Sequence, residues 1–324
     1  MRYPALSFPG PVLTRRDIED KLYRCRGLIP IDIDLTLDQL IWADLGQYHC
    51  YRGFFHQAFA EWAVIRGGPP DCLASPCDVL EELQLPADCS SPSGFIFHAG
   101  RCGSTLLAEV LARSRRNLVF IEAAPHNRIW RRGGTTLPVY RNLVCVMGRR
   151  RLTSYRSHII KFTSYNILKF NQIRNAFPGV PALFLFRDPG AALDSYHRGL
   201  PAWMTRDPAM EQLPATPEAA MERFYRAALA IEDPLFWTLD YSRIRPEIIP
   251  SVLSCFGLDA DEHSLARMLS VFEWEAKDAR MRRRLTPVPG SSRKPSPTLE
   301  SLYSRLRLWH MLPEIPLNNN LRQE

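Results

Sequence analysis

The chain has 324 residues, 46% hydrophobic and 23% charged, the makeup of a globular protein long enough for one large α/β domain and an appendage. Its 41 Lys and Arg against 34 Asp and Glu give a net charge of +7, which favours anionic ligands, while the lack of dense basic runs argues against a dedicated nucleic-acid binder. Eight cysteines are too dilute for a disulfide scaffold, Met1 to Asp17 lacks the apolar core of a secretory signal, and no apolar run is long enough to cross a bilayer, so the expectation is a cytoplasmic protein with reduced thiols.

Residues 1–92 read as a mainly helical module, with helical periodicity from Leu37 to Ile65 placing Leu40, Ile41, Leu45, Phe54, Phe55, Phe59 and Trp62 on a broad apolar face. That face, with Trp42, leaves three uses open: capping a substrate cleft, forming a homodimer, or packing against the next unit. Cys72, Cys77 and Cys89 stand near His98, but without a CxxC pair they do not match zinc-site spacing, and no metal is assigned. The Ser90-Ser91-Pro92-Ser93-Gly94 stretch marks a boundary, and residues 93–324 are assigned to an α/β domain.

From Gly94 onward, short apolar runs alternate with helical segments, the pattern of a parallel sheet covered by helices. Strands are expected at Phe95–Phe97, Leu118–Ile121, His158–Phe162, Leu183–Phe186 and Phe236–Leu239. Helices are expected at Ser104–Arg113, Tyr165–Asn175, Ala191–Arg198, Glu218–Ile231, Pro246–Cys255 and Glu262–Trp274, and Leu299–Trp309 is a final amphipathic stretch. Arg149-Arg150-Arg151 and Arg282-Arg283-Arg284 read as solvated basic surface, and the Pro/Ser-rich segment after Arg280 as a loop that a ligand would order. The fold class is therefore a three-layer α/β sandwich with a central, mostly parallel sheet. Glu122 and Arg187 fall at strand ends, where open sheets of this kind place their ligand crevice.

The order strand, Gly100-Arg101-Cys102-Gly103-Ser104-Thr105, helix sets a run of backbone N–H groups at a helix N-terminus, with glycines that let the chain wrap an anion. Ser104 and Thr105 add hydroxyl donors. A nucleoside-triphosphate-hydrolysing loop ends in Gly-Lys-Ser/Thr, whose lysine reaches the β- and γ-phosphates, but here Gly103 is followed directly by Ser104. That argues against a standard kinase or ATPase.

Together, Phe95 to Leu107, Phe184-Leu185-Phe186-Arg187-Asp188-Pro189 and Ser195 resemble the sulfotransferase superfamily, and most nearly its bacterial members with a Gly-Arg-Cys-Gly-Ser-Thr-Leu loop. The resemblance implies a P-loop-like fold and 3'-phosphoadenosine 5'-phosphosulfate (PAPS) as co-substrate, with the loop on the 5'-phosphosulfate and Arg187 and Ser195 on the 3'-phosphate. Their spacing suits the task, because a strand-end arginine and a serine two turns into the next helix can approach one phosphate from two sides. By the same resemblance Tyr241 lies on the adenine side, Arg293 and Lys294 belong to a basic loop over the nucleotide, Lys161 faces the sulfuryl group, and Glu122 is the general base. The family's histidine-base position holds Thr163, which excludes a histidine there.

Sulfuryl transfer moves an SO3 unit between two oxygens in line, so catalysis is alignment plus charge stabilisation and needs no metal. The expected division of labour gives charge stabilisation to Arg101, Lys161 and the loop N–H groups, and proton acceptance to Glu122, with His126 as a competing base. Glu122 has a structural alternative in pairing with Arg128 or Arg131, and His126 reads as an exposed loop residue. Two other functions stay open: an ATP-using phosphotransferase, and a nucleotide-binding scaffold without catalysis. The acceptor, small molecule or biopolymer, is not written in the sequence.

Overall fold

The computed structural model describes residues 12–49, 53–68, 71–201, 204, 214, 216–277 and 293–315. Among them the strands are β1 (Leu28–Asp34), β2 (Gln39–Asp44), β3 (Leu73–Pro76), β4 (Gly94–His98), β5 (Asn117–Ile121), β6 (Ser157–Lys161), β7 (Ala182–Phe186) and β8 (Phe236–Asp240). The helices are α1 (Arg15–Arg24), α2 (Phe55–Arg66), α3 (Ser104–Ala112), α4 (Ala124–Arg128), α5 (Leu137–Met147), α6 (Phe170–Ala176), α7 (Pro189–His197), α8 (Pro217–Leu229), α9 (Ile249–Cys255), α10 (Glu262–Lys277) and α11 (Pro297–Leu306). None of the described helices is long and apolar enough to cross a membrane.

The fold is α/β, with a five-stranded sheet in the order β5-β6-β4-β7-β8 and a separate antiparallel sheet in the order β1-β2-β3. The pairs β5–β6, β4–β7 and β7–β8 are parallel. Every residue of β4, β5 and β7 is buried, which explains why these strands are continuous apolar runs rather than alternating ones. The chain divides into two compact units, one of Met1–Ser93, Arg115–Phe162 and Asn171–Gly179, the other of Gly94–Ser114, Thr163–Phe170 and Val180–Glu324.

In the first unit, α1 opens on a capping box. The Thr14 side chain accepts from the Asp17 N–H, Asp17 answers to the Thr14 backbone, and Ile18 and Leu22 are buried below. The helix expected over Leu37–Ile65 is instead a strand followed by a helix. Leu40 to Ala43 form a continuous apolar run too short for periodicity to tell strand from helix, and Asp38 (φ 53°), Gly46 (φ 52°) and Gly53 (φ 62°) break any helix around it. Only Phe55–Arg66 is helical, ending on Gly67 in the left-handed region. In β1 the register shifts between Pro30 and Asp32, a bulge that accommodates a residue unable to donate to the ladder.

Arg149 and Arg151 correct the reading of a solvated basic run, since both are buried and only Arg150 is exposed. The Arg149 guanidinium donates to the carbonyls of Leu22 (2.8 Å) and Cys25 (2.7 Å) and pairs with Asp88 (3.2 Å). Arg151 donates to the Tyr48 carbonyl at 2.9 Å. A buried guanidinium is tolerable because its planar donors meet carbonyls and a carboxylate together. Arg282–Arg284 and the rest of the loop to residue 292 lie outside the described residues.

The segment Tyr165–Asn175 begins as a tight turn over Ser164–Lys169 and becomes regular helix at Phe170, and in the second unit Pro246–Ile248 makes a similar turn before α9. The chain after α11 runs along β8, where the Thr238 N–H donates to the His310 carbonyl and the Leu312 N–H to the Thr238 carbonyl, both at 2.9 Å. That pairing satisfies part of the edge of β8. Asp188 caps α7 by accepting from the Ala191 N–H at 2.8 Å, with Pro189 in the first turn.

Candidate active site

The phosphate loop leaves β4 and enters α3 through backbone that side chains rarely adopt: Gly100 (φ 90°), Arg101 (φ 55°) and Gly103 (φ 75°) are all left-handed. Two glycines are required by their surroundings as well as by φ. A Cβ on Gly100 would lie 1.9 Å from the Tyr196 hydroxyl oxygen, and one on Gly103 would lie 2.7 Å from the Tyr241 ring. The Gly100 N–H donates to His98 Nδ1 at 3.0 Å, which places the His98 proton on Nε2, and the Tyr196 hydroxyl donates to the Ala99 carbonyl at 3.1 Å. The buried Cys102 thiol donates to the Leu185 carbonyl at 3.3 Å, holding the loop to β7.

Gly103 is the N-cap of α3, and no side chain caps that end. The first N–H groups of the helix therefore point outward with the positive end of its dipole, beside the buried Ser104 and half-buried Thr105. Arg187, at the end of β7, donates from Nη1 to the Arg101 carbonyl at 3.3 Å and lays its guanidinium over the Tyr241 ring at 4.2 Å. Arg101 donates from Nε to Ser195 Oγ at 2.8 Å and from Nη2 to the Ser195 carbonyl at 3.3 Å. The loop, Arg187, Ser195 and Tyr241, far apart in sequence, thus meet in one unit.

Beside them lies a cavity of about 890 Å³ whose walls include Arg187, Tyr241, Phe272, Glu300 and Tyr303. That volume lies within the range of small-molecule sites. Asp240 in its wall is spoken for, accepting from the Ser242 N–H and the Tyr303 hydroxyl, both at 2.8 Å. Arg293 contacts His197 Nδ1 at 3.0 Å, and Lys294 beside it is exposed. Tyr196, Tyr303 and His197 escaped sequence reading; the one signal for the first and last is that they follow Ser195 on the same helix.

Glu122 and Lys161 belong to the other unit, at the ends of β5 and β6. The Ile121↔Lys161 register puts Glu122 next to Lys161, and the Glu122 N–H donates to the Lys161 carbonyl at 2.8 Å. Their side chains form a close ion pair. Lys161 is wholly buried, and its ammonium also faces the Phe54 ring at 5.7 Å. Arg128, one of the two arginines weighed as a structural partner for Glu122, pairs with Asp32 at 2.7 Å.

His126 is not an exposed loop residue. It lies buried on α4, its ring edge-to-face with Phe120 and Phe162, and burial pushes its pKa down to about 3. Neither ring nitrogen has a hydrogen-bond partner among the described residues. An imidazole so placed stays neutral at pH 7. Among the described residues no three His, Cys, Asp or Glu side chains gather as a metal site, and the described cysteines are free thiols.

No protein-family model and no curated protein matches the chain. Among solved structures it is similar to the sulfotransferase domain of the olefin synthase of Synechococcus PCC 7002, 16% identical over 72% of this chain and 99% of that one, with a TM-score of 0.44. It is also similar to the sulfotransferase domain of the curacin biosynthetic pathway, 12% identical over 69% of this chain and 100% of that one, TM-score 0.43. A third likeness is to the sulfotransferase STF9 of Mycobacterium avium, 12% identical over 70% of this chain and 79% of that one, TM-score 0.39.

Proposed function

We propose that the chain is a sulfotransferase that moves a sulfuryl group from PAPS to a hydroxyl or amine acceptor. The observation that carries the reading is the meeting of an uncapped helix N-terminus with Arg187 and Ser195 beside a cavity walled by Tyr241. A ligand that uses all of these carries two separated anionic groups and a flat ring, as a nucleoside 3',5'-bisphosphate does. The donor set fits that group: N–H, hydroxyl and guanidinium donors face it.

PAPS supplies an SO3 group already attached to a phosphate that leaves readily. The protein's part is to hold and to balance charge. The N–H groups of Gly100 to Thr105, with the Ser104 and Thr105 hydroxyls, hold the 5'-phosphosulfate; Arg187 and Ser195 hold the 3'-phosphate. Tyr241 packs the nucleobase side, and Arg293 and Lys294 add positive charge near it. Arg101 and Lys161 stabilise charge on the leaving oxygen, and Glu122 accepts the acceptor's proton. No metal is needed in this scheme.

The phosphotransferase alternative is weakened by Asp188, the carboxylate that follows Arg187 in the chain, which is engaged as the N-cap of α7 rather than standing as a magnesium ligand. The non-catalytic alternative draws support from one observation: Glu122 is held by a buried lysine, as a structural ion pair would be. Calorimetric titration separates the first alternative from the proposal. The expected outcome is saturable binding of 3'-phosphoadenosine 5'-phosphate without magnesium and no binding of Mg-ATP; the reverse preference would sink the proposal.

A further inference from the structure

The cavity beside the phosphate loop carries a charge that an anionic ligand does not explain. Glu300, on the first turn of α11, stands in the same walls as Arg187. A carboxylate facing phosphate groups repels them, so its presence there calls for another task.

The local tasks are already taken. A carboxylate at the start of a helix often answers the N-cap N–H. In α11 that N–H, of Ser296, donates to Glu218 of α8 at 2.7 Å, and the Ser296 hydroxyl accepts from the Leu299 N–H at 3.3 Å. The other carboxylates of the cavity wall are engaged too: Asp240 by Ser242 and Tyr303, and Asp188 by the Ala191 N–H. Glu300 is exposed, and among the described residues no ion pair or hydrogen bond engages its side chain.

Its position is set by the helix face it shares. Glu300, Tyr303 and Ser304 are three and four residues apart, and all line the cavity. Tyr303 holds that face in place, donating to Asp240 at 2.8 Å and meeting Phe186 edge-to-face with centroids 5.7 Å apart. Asp240 directly precedes Tyr241, and Tyr241 and Phe272 give the same cavity an aromatic lining suited to a flat heterocycle. All of these residues belong to the second unit.

From this arrangement we infer that Glu300 reads the nucleobase, its carboxylate accepting a hydrogen bond from the exocyclic amino group of adenine. The inference rests on the PAPS reading above and names the residue that selects the base. A nucleoside 3',5'-bisphosphate offers a carboxylate two kinds of donor, the ribose 2'-hydroxyl and a base amino group. The hydroxyl sits on the carbon next to the 3'-phosphate, where a carboxylate meets the phosphate charge; the amino edge is the donor farthest from both phosphates. A base with a carbonyl in that place, such as hypoxanthine, turns an acceptor toward an acceptor and is rejected.

The test is calorimetric titration of the full chain with 3'-phosphoadenosine 5'-phosphate and with its inosine counterpart. The two carry the same charges, so their affinity ratio is insensitive to general electrostatics. Wild type binds the adenosine compound about 10-fold or more tightly than the inosine compound. In Glu300→Gln, whose amide can turn a donor or an acceptor to the base, the ratio falls to within about threefold, and Glu300→Ala gives the same collapse. The 2'-deoxyadenosine compound loses as much affinity on Glu300→Gln as the ribose compound does. A wild-type ratio near one, a ratio that both variants leave unchanged, or a variant effect that vanishes with the 2'-deoxy compound overturns the inference alone. A wild-type chain that binds neither nucleotide overturns the reading beneath it.

Discussion

Arg187 and Gly100 are the residues whose roles are most sharply defined by geometry. Arg187 is held ready by Tyr241 beneath it and the Arg101 carbonyl beside it, so Arg187→Ala removes a pre-aligned charged donor. Charge-assisted hydrogen bonds are worth about 1.5–3 kcal/mol, so affinity for 3'-phosphoadenosine 5'-phosphate should fall by roughly 10- to 100-fold in a titration, with thermal stability little changed. Gly100→Ala is expected to destabilise the fold by about 2 kcal/mol or more, because it combines φ 90° with a Cβ 1.9 Å from the Tyr196 hydroxyl. Gly100→Ala with Tyr196→Phe should recover part of that loss in urea unfolding, since the nearest atom is gone and what remains is the strain and a ring carbon 3.0 Å away. Additive losses would show that the hydroxyl is not what excludes a side chain.

At the scale of elements, the parallel strands and the phosphate loop were legible in the sequence because each is written in contiguous residues. Phe95–Phe97 and Leu183–Phe186 are unbroken apolar runs, and the loop's glycines lie between a strand and a helix. The antiparallel sheet was not legible, because Leu40 to Ala43 is too short a run to have a period and β1 carries a proline at its bulge. Pairings across long separations were also hidden: Arg149 looked like surface, and only folding brings Leu22, Cys25 and Asp88 around it. The Glu122–Lys161 contact depends on the β5–β6 register, which no local pattern encodes. Arg149→Ala leaves two helix-end carbonyls without their buried donor, while Asp88 keeps Arg26 at 3.2 Å, and should cost about 2 kcal/mol or more by chemical unfolding. Arg150→Ala, at an exposed position, should stay within about 0.5 kcal/mol.

For the molecule as a whole, acid is the predicted weakness. His126 and His158 are both buried around Phe120, and burial pushes their pKa values from 6.5 down to about 3 and about 4. The unfolded chain therefore binds more protons than the folded one below pH 6.5. The stability these groups contribute is complete above that pH, falls as pH drops through it, and goes on falling to the folded-state values. At pH 5 the loss is about 2 kcal/mol for each histidine by linkage, so the urea midpoint should fall clearly between pH 7.5 and pH 5. His126→Phe, which keeps an aromatic ring against Phe120 and Phe162, should flatten that dependence, and an equally steep loss in the variant would place the acid sensitivity elsewhere.

The central claim concerns what the loop, Arg187 and Ser195 hold and what is done with it. The direct measurement is transfer of labelled sulfate from PAPS to a panel of phenols, carbohydrates and peptides, run with wild type, Glu122→Gln and Arg187→Ala. The account predicts a labelled product with wild type, a loss in kcat with Glu122→Gln and a rise in KM for PAPS with Arg187→Ala. Nucleotide binding without transfer to any member of the panel, unchanged by Glu122→Gln, would contradict it and leave a binding protein in its place.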